Sequence, residues 1–147
     1  MKIDEINIAI IKHLQDGRKS FKVIAKEMCV SENTIRARVS KLQKEGVLDI
    51  SGTVNAEAIP GHRVAIVGVK LNTMNLVDLG EEFSRLKGVV SVAVVTGRFD
   101  LILTVLLRDD FGLLEFYTEE AVKLKGVRSV ETFVVYKGFN LKVPYIL

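Results

Sequence analysis

The sequence predicts an α+β protein of two domains joined by a linker strand. Apolar residues recur every three or four positions in residues 6–42, which is the spacing of one helix face. After Pro60-Gly61 the chain becomes rich in Val and Ile, as strands are, and a seven-residue pattern occurs twice. These observations predict a helical domain in residues 1–50, a linker strand at 51–61 and a mixed domain in residues 62–147.

The composition is typical of a soluble globular protein. The chain has 147 residues, of which 48% are hydrophobic and 27% charged, enough for one or two small domains. Its longest apolar runs, such as Leu101–Leu107, are far shorter than the roughly 20 residues that span a bilayer, and no charged start with a cleavage site precedes them. The single cysteine excludes an internal disulfide and a zinc site. We therefore expect a cytoplasmic protein without a membrane partner, a bound metal or a cofactor.

The net charge of +3 is concentrated in the first third of the chain. Residues 1–50 contain ten Lys and Arg against seven Asp and Glu, whereas the remainder contains eleven of each. A phosphate-rich partner is therefore expected to meet the amino-terminal end.

Three short helices are predicted in the first domain. Asp4 can cap the first, which Asp16-Gly17 ends, and Ser20 can cap the second. The inward positions of the first helix are expected to be Ile6, Ile8, Ile10, Ile11 and Leu14, and those of the second Val23, Ile24 and Met28. Gly46 follows the third helix, where a C-cap favours positive φ, and residues 47–54 are typical of extended chain, either a wing or the linker.

The third helix, from Ser31 to Lys44, has two different faces. Ser31 is well suited to be its N-cap. An apolar stripe recurs at i, i+4 and i+7 and must face a core; it consists of Ile35, Val39 and Leu42. The opposite side is small, polar and basic, and carries Asn33, Arg36, Ala37, Ser40 and Lys44, with Arg38 and Lys41 on the flanks.

This polar face fits the major groove of double-stranded DNA. Asn and Arg can make bidentate contacts with adenine and guanine, whereas Ser, Thr and Lys more often hold phosphates. Three short helices, with the third the most basic, match a helix-turn-helix. The predicted DNA-binding residues are Ser31, Asn33, Thr34, Arg36, Arg38, Ser40, Lys41 and Lys44. The alternative is an ordinary amphipathic helix with a solvated polar face, since helix-turn-helix shapes also occur in proteins that touch no DNA.

Strands and helices alternate in the second domain. The predicted strands are His62–Leu71, Val89–Thr96, Asp100–Leu107 and Val127–Tyr136, with a hairpin across Gly97-Arg98-Phe99. Apolar residues at helical spacing from Leu76 to Leu86 predict a helix after the first strand. A second helix is expected to start at Asp109 or Asp110 and to end at Gly126. Its inward residues are expected to be Phe111, Leu114, Tyr117, Ala121 and Leu124.

An internal repeat supports the order β-α-β-β-α-β. LKGVVSV at Leu86–Val92 recurs as LKGVRSV at Leu124–Val130, 38 residues later, and in each copy a helix stops at a glycine before a strand. Two such halves of one sheet give a split βαβ, ferredoxin-like arrangement with helices on one face. The other face is apolar enough to need a cover, most simply the sheet of a second subunit. We therefore expect a homodimer, which would present two recognition helices to major grooves about 34 Å apart.

The chain resembles the Lrp/AsnC family of bacterial and archaeal transcription regulators over essentially its whole length. The resemblance lies in the opening IDEINIAII, in GRKSFKVIAKEMCVSENTIRARVSKLQKEGVL and in GRFD at Gly97–Asp100. It implies a winged-helix-like DNA-binding domain, a connecting strand and a βαββαβ (RAM-type) domain that dimerises and binds small effectors, usually amino acids. It also implies assembly of dimers into larger rings, often octamers.

The resemblance implies an effector pocket at the hairpin, between subunits, with Gly97 and Asp100 as the positions carried over. Glycine lets a ligand approach the backbone, hairpin N–H groups can receive a carboxylate, and Asp100 can hold an ammonium group. Arg98 is the variable position and could bind an acidic ligand, and Thr132 resembles a hydroxyl position near the pocket. Alternatively, Gly97 only makes the turn, Asp100 only caps it, Arg98 is solvated and Thr132 is a cross-strand threonine.

Three residues of the first domain deserve comparison with the family pattern. Cys29 stands in the helix turn where the family usually has glycine; it is poorly suited to positive φ, and we expect a buried, inert thiol. Asn7 stands where an aspartate is common, which could remove a structural ion pair. Arg38 matches an arginine that the family often keeps and lies nearer the packed side than Arg36, so it is expected to bind either a carboxylate or a phosphate.

These features predict a sequence-specific DNA-binding regulator whose assembly or DNA binding responds to a small effector, an amino acid by resemblance. Two alternatives are a sirohaem-decarboxylase-like subunit and a metabolite sensor without DNA binding. The first would need a haem-sized pocket and histidines, but the second domain has only His62. No nucleophile paired with a base, no phosphate loop and no clustered carboxylates are evident, so no enzymatic activity is expected. The basic residues of the third helix argue against the second alternative.

Overall fold

The structure, a computed structural model, describes residues 3–147 and divides into two compact units. The first unit ends at Ser51 and the second spans Gly52–Leu147. This division lies ahead of Pro60-Gly61, so the segment expected as a linker groups almost entirely with the second unit. None of the helices in the described residues is long and apolar enough to cross a membrane.

The first unit consists of the helices α1 (Glu5–His13), α2 (Phe21–Glu27) and α3 (Glu32–Lys44). Each follows an N-cap whose side chain accepts a backbone N–H within the first turn, and these caps are the predicted Asp4, Ser20 and Ser31. The helices enclose a small core formed by Ile10, Ile24, Ala25, Ile35 and Val39. The prediction of three capped helices is therefore confirmed.

The first two helices bury narrower stripes than the sequence predicted. Ile6 and Ile8 are 38% and 44% exposed, and Val23 on α2 is 44% exposed, so their expected inward positions are wrong. The buried residue of the first turn of α1 is Asn7, because its side-chain oxygen accepts a hydrogen bond from Arg38 of α3. The hydrogen bond between Asn7 and Arg38 thus occupies a buried position at which the sequence predicted apolar side chains.

The turn between α2 and α3 places Cys29 at the surface. Cys29 has φ of +53°, its N–H donates to the Lys26 carbonyl, and the Val30 N–H donates to the Ala25 carbonyl at 3.0 Å. This pair of bonds is the Schellman motif, in which the residue after the left-handed position often makes the hydrophobic contact. Val30 accordingly packs on the core and Cys29 is exposed, so the expectation of a buried thiol is wrong.

The end of α3 uses the same motif with a glycine. Gly46 has φ of +67°, its N–H donates to the Gln43 carbonyl, and the Val47 N–H donates to the Leu42 carbonyl at 2.9 Å. The predicted C-cap at Gly46 is confirmed. The two turns therefore differ in the residue that occupies the left-handed position.

The second unit is built on an antiparallel sheet. The strands are β1 (Thr53–Val54), β2 (Arg63–Leu71), β3 (Val89–Val94), β4 (Leu101–Leu107), β5 (Val127–Val134) and β6 (Val143–Pro144). The helical segments are a 3-10 turn (Ala56–Ala58), α4 (Leu76–Ser84), α5 (Leu113–Glu115), a π-turn (Phe116–Glu120) and a second 3-10 turn (Ala121–Lys123). The main sheet has the order β3-β4-β2-β5, which confirms the predicted ferredoxin-like arrangement.

The second helical segment begins later than predicted. Arg108 and Phe111 exchange backbone hydrogen bonds of 3.1 and 3.0 Å, which closes a tight turn around Asp109 and Asp110. Residues in such a turn cannot also start a helix, so α5 begins after it and neither aspartate is its cap. The predicted start is wrong, and so is the inward position of Leu114, which is 70% exposed.

The two faces of the sheet are covered differently. On the helix side, the alternate residues of β2 are buried; they are Ala65, Val67, Val69 and Leu71. On the other side, Ala56 and Val143 pack with Val64 and Leu106. β1 pairs with β6 in this region, so the end of the extended segment belongs to the second unit. The chain's own segments therefore cover part of the face that was expected to need a partner.

Candidate DNA-binding and effector sites

The third helix has the two faces that the sequence predicted. The stripe of Ile35, Val39 and Leu42 is at most 2% exposed. The residues on the opposite side are all exposed; they are Asn33, Arg36, Ala37, Ser40 and Lys44. Lys41 is also exposed, whereas Arg38 is half-buried. The polar surface is available to a partner, and its contact with DNA stays a prediction.

Two hydroxyl groups lie at the start of α3. The Ser31 Oγ accepts the Thr34 N–H at 3.1 Å and lies 2.8 Å from the Thr34 Oγ1. Both side chains are exposed, so each retains hydrogen-bonding capacity toward solvent. Exposed hydroxyls beside the unpaired N–H groups of a helix start suit a phosphate oxygen.

Arg36 is exposed but held in place along the helix. Its Nη2 donates to the Glu32 Oε1 at 2.8 Å, one turn earlier, and its guanidinium lies 5.5 Å from the centre of the Phe21 ring. The Arg36 side chain is 61% exposed. Exposed ion pairs contribute little stability, so the Arg36 guanidinium can leave Glu32 for a base or a phosphate. Until then the pair holds the guanidinium in one orientation.

Arg38 has a different environment. Its Nη1 lies 2.9 and 2.7 Å from the two carboxylate oxygens of Asp4 and 3.0 Å from the Asn7 side-chain oxygen. The Arg38 hydrogen bond, together with the Asn7 N–H, lowers the pKa of the Asp4 carboxyl from its ordinary value. Of the two partners expected for Arg38, the structure therefore shows the carboxylate. Asp4 supplies the charge, although Asn7 stands where the family often has an aspartate.

The hairpin between β3 and β4 requires Gly97. Gly97 has φ of +123°, which L side chains rarely adopt, and it is exposed. The backbone is therefore open to a ligand at this point. This geometry fits both the turn-forming role and the effector-binding role that the sequence left open.

Asp100 joins this hairpin to β2. Its N–H donates to the Val69 carbonyl, its Oδ2 accepts the Leu71 N–H at 2.8 Å, and its Oδ1 lies 2.9 Å from the Lys70 Nζ. The Leu71 N–H and then the Lys70 ammonium lower the pKa of the Asp100 carboxyl. Asp100 thus makes structural bonds within the protomer, and an ammonium ligand would share it with Lys70.

The hairpin tip lies against the sheet face away from the helices. Arg98 forms an ion pair of 2.7 Å with Glu131 of β5. The Phe99 ring lies over Gly68, where a Cβ atom would come within 2.6 Å of the ring, and meets the Phe133 ring edge to face. The contacts of Lys70, Glu131 and the Gly68–Phe99 pair were not predictable from the sequence, because nothing local to the hairpin indicates partners about 30 residues away.

Thr132 is not part of this cluster within one protomer. It pairs with Val67 in the sheet and shares the helix-covered face, where its hydroxyl bonds to the Tyr117 hydroxyl. Glu131, the partner of Arg98, points to the other face because neighbouring strand residues alternate. The structure therefore brings Gly97, Arg98 and Asp100 together and separates Thr132 from them.

Two family models match the chain. The AsnC-type helix-turn-helix domain matches residues 3–43, and the Lrp/AsnC ligand binding domain matches residues 64–141. The chain belongs to the Lrp/AsnC family. An uncharacterized HTH-type transcriptional regulator of Pyrococcus abyssi is 34% identical over 92% of this chain and 87% of its own length.

Solved structures share the Lrp/AsnC fold. The crystal structure of PH0061 has a TM-score of 0.78 and 23% identity, covering 97% of this chain and 98% of that chain. The complex of the transcriptional regulator NMB0573 with L-Met, from Neisseria meningitidis, has a TM-score of 0.68 and 18% identity, covering 99% and 96%. At these identities the likeness shows the fold.

Membership of the Lrp/AsnC family makes the protein a transcriptional regulator with a helix-turn-helix and a ligand-binding domain, and not an enzyme. The alternative of a decarboxylase-like subunit is therefore set aside. Within residues 3–147, no group of three or more His, Cys, Asp and Glu side chains is placed to hold a metal ion.

Proposed function

We propose that this Lrp/AsnC regulator binds its operator by placing α3 in the major groove. The observation that carries the proposal is the exposed face of α3, on which Asn33, Arg36 and Ser40 follow one another at one-turn spacing. Asn33 and Arg36 can read base edges, while the hydroxyls and the lysines of this helix hold phosphates. As a DNA-binding regulator, the protein would act in the cytoplasm.

Arg38 is left out of this DNA surface. Its guanidinium is bound to Asp4 and Asn7, and a phosphate contact would have to break these bonds. The proposed phosphate contacts are Ser31, Thr34, Ser40, Lys41 and Lys44. Arg38 instead orients α3 against α1.

A homodimer is the proposed unit of binding. Phe133, Tyr136 and Phe139 are 45%, 99% and 86% exposed on the second unit. Aromatic side chains of this exposure are enriched at subunit interfaces, and a second copy is the simplest cover for them. Two α3 helices on one dimer would meet successive major grooves, and dimers would assemble further, to an octamer by family resemblance.

The proposed effector is an amino acid bound at the hairpin. The L-Met complex of the Neisseria regulator supports an amino acid as the class of ligand. Gly97 offers an accessible backbone, Arg98 can receive a carboxylate once it leaves Glu131, and Asp100 can share an ammonium group with its present partners. Thr132 is not proposed as a ligand contact, because its hydroxyl is bound to Tyr117 on the other face. The effector would control DNA binding by preferring one assembly state.

The DNA surface is tested by fluorescence anisotropy on the DNA upstream of the protein's own gene. Arg36→Ala should weaken binding at least about fivefold, because each bidentate base contact is worth roughly 1–3 kcal/mol. Arg85→Ala is the matched control, since Arg85 at the end of α4 forms an exposed pair with Glu81 at the same i, i+4 spacing in the second unit. Equal binding by both variants and the wild type would contradict the proposed surface.

The effector site is tested in the same assay with and without a pool of amino acids. Arg98→Ala should keep basal DNA binding and lose the response to the pool. Thr132→Val should keep both, because it changes a contact on the opposite face of the sheet. A normal response by Arg98→Ala, or a loss confined to Thr132→Val, would move the effector away from the hairpin.

A further inference from the structure

A second cavity of about 230 Å³ lies at the opposite end of the sheet from the Gly97 hairpin. It opens where β2 begins and where β4 and β5 end, since Arg63 pairs with Leu107 and the hairpin adjoins the Leu101 end of β4. Its apolar lining includes Leu107, Leu113 and Val134, and its charged lining includes Arg63, Arg108 and Asp109. The volume is below the roughly 300–1,000 Å³ of pockets for drug-sized ligands, so a smaller molecule fits.

The charged residues of this cavity are not equally available. Arg108 is occupied, because its Nη2 donates to the Asp110 Oδ2 at 2.9 Å and its Nε donates to the other oxygen. Arg63 and Asp109 make no ion pair and no side-chain hydrogen bond with any residue between 3 and 147. Both are exposed at the cavity rim. The cavity therefore offers one free guanidinium and one free carboxylate beside an apolar wall.

Asp109 is positioned by the backbone and not by a charged partner. The hydrogen bonds between Arg108 and Phe111 fix the turn that carries it. Its carboxylate lies against Gly61, where a Cβ atom would come within 2.4 Å of the Asp109 Oδ2. Gly61 has φ of +73°, so both its conformation and its missing side chain make room for the carboxylate. The Asp109 carboxylate is thus held in place without a cationic partner among the described residues.

We propose that this cavity is a second small-molecule site, which binds a free α-amino acid with an apolar side chain. Arg63 pairs with the α-carboxylate, Asp109 accepts hydrogen bonds from the α-ammonium, and the side chain lies on Leu107, Leu113 and Val134. A simple anion would face the Asp109 carboxylate, and a simple cation would face Arg63. A zwitterion pairs with both Arg63 and Asp109. Its apolar side chain would cover the apolar lining of the cavity and shield it from water.

This site is separate from the proposed hairpin site and does not depend on it. The two lie at opposite ends of β2 and β4, and they share no residue. Binding at one can therefore be measured while the other is disabled. Failure of either proposal leaves the other untouched.

The test is a titration of the full-length wild-type protein, labelled with ¹⁵N, with L-leucine, L-isoleucine, L-methionine and L-phenylalanine. The expected result is a shift of the Gly61 and Gly112 amide signals by at least one of these amino acids. For that amino acid, its amide and its deaminated carboxylic acid should each bind at least tenfold more weakly, because each lacks one charge. No shift at millimolar concentrations, or equal binding of the amide, would overturn the proposal.

Substitutions separate this cavity from the hairpin. Asp109→Asn preserves the shape of the side chain and Arg63→Gln preserves most of its length. Each should weaken the binding affinity measured from the Gly61 shift at least tenfold. Arg98→Ala, at the hairpin, is the control and should leave that shift unchanged. If Arg98→Ala alone abolishes binding, the amino acid binds at the hairpin and the second site is disproved. Unchanged amide signals of the second unit, away from the substituted residue, report that the folds of all three variants are intact.

Discussion

The Arg38 guanidinium and the Asp4 carboxylate form a direct contact, with Nη1 at 2.9 and 2.7 Å from the two oxygens. Asp4 also accepts the Asn7 N–H at 2.8 Å and so caps α1. One carboxylate therefore links the start of the first helix to the helix that carries the DNA surface. Asp4, which lies 34 positions before Arg38 in the chain, thus helps to orient α3.

This contact predicts an acid-sensitive contribution to stability. The Arg38 hydrogen bond and the Asn7 N–H hold the pKa of Asp4 below 3.8, its ordinary value. A carboxyl group whose pKa is lower in the folded chain than in the unfolded chain stabilises the fold when it is ionised. This contribution is complete at a pH above the unfolded-state pKa, and it is lost as the pH falls through the folded-state pKa. Asp4→Asn keeps a capping oxygen but removes the charge. We expect a lower Tm than the wild type at pH about 7, and a difference that shrinks below pH about 3.8.

Circular dichroism melts across this pH range measure the effect. Asp49→Asn is the control, because Asp49 is an exposed carboxyl of the same unit. A Tm difference for Asp4→Asn that stays constant down to pH about 2.5 would show that the charge of Asp4 is not what stabilises the contact.

Cys29→Gly should stabilise the first unit. Cys29 occupies a left-handed position at φ of +53°, which strains an L residue by about 1 kcal/mol or more, whereas glycine adopts it freely. The gain is expected to be up to about 1 kcal/mol, since glycine also increases the entropy of the unfolded chain. Denaturant unfolding measures it. Gly46→Ala is the matched control at the same motif, and it should destabilise the unit by a similar amount. A lower denaturant midpoint for Cys29→Gly than for the wild type would contradict the strain proposed at Cys29.

Gly68→Ala should disturb the hairpin contact. A Cβ atom at Gly68 would lie 2.6 Å from the Phe99 ring, so the ring must move. Overpacking of this kind costs typically about 1–3 kcal/mol. In a Phe99→Ala background the same change should cost much less, and a double-mutant cycle measures the coupling. Additive effects of the two substitutions would mean that the ring does not pack on Gly68.

Lys41 and Lys44 should contribute to DNA affinity through phosphates alone. Lys41→Gln and Lys44→Gln are expected to weaken binding to operator and unrelated DNA by similar factors. Each should also reduce the slope of log affinity against log salt by about one for each subunit, and so by about two for the proposed dimer. Lys125→Gln, an exposed lysine of the second unit, should leave the slope unchanged. Selective loss of operator binding by either α3 variant would instead assign that lysine a base contact.

The accuracy of the sequence predictions depended on the distance between interacting residues. The caps at Asp4, Ser20 and Ser31 were predictable, because each side chain bonds to a backbone N–H three residues on. The alternation of helix and strand was predictable from apolar spacing and from the glycine that ends each helix. The start of α5 was not, because Asp109 and Asp110 suit a tight turn as well as a helix cap.

The candidate site shows the same limit. The exposed face of α3 followed from its period of 3.6 residues, yet that period could not reveal that Arg38 is bound to Asp4. The position of Thr132 depended on strand register, since a shift of one residue changes the face on which a side chain lies. The Lys70 contact of Asp100 likewise required the pairing of two strands.

The sequence by itself determined the family and most of the local structure, because caps, periodic apolar stripes and the repeated glycine act among residues that are near in the chain. Tertiary structure alone decided which charged groups are free and which are already paired. Arg63 and Asp109 remain open to a partner, whereas Arg38 and Asp100 are engaged within the protomer. The physical reason is that an ion pair depends on distance in space, and residues 30 or more positions apart meet only when the chain has folded.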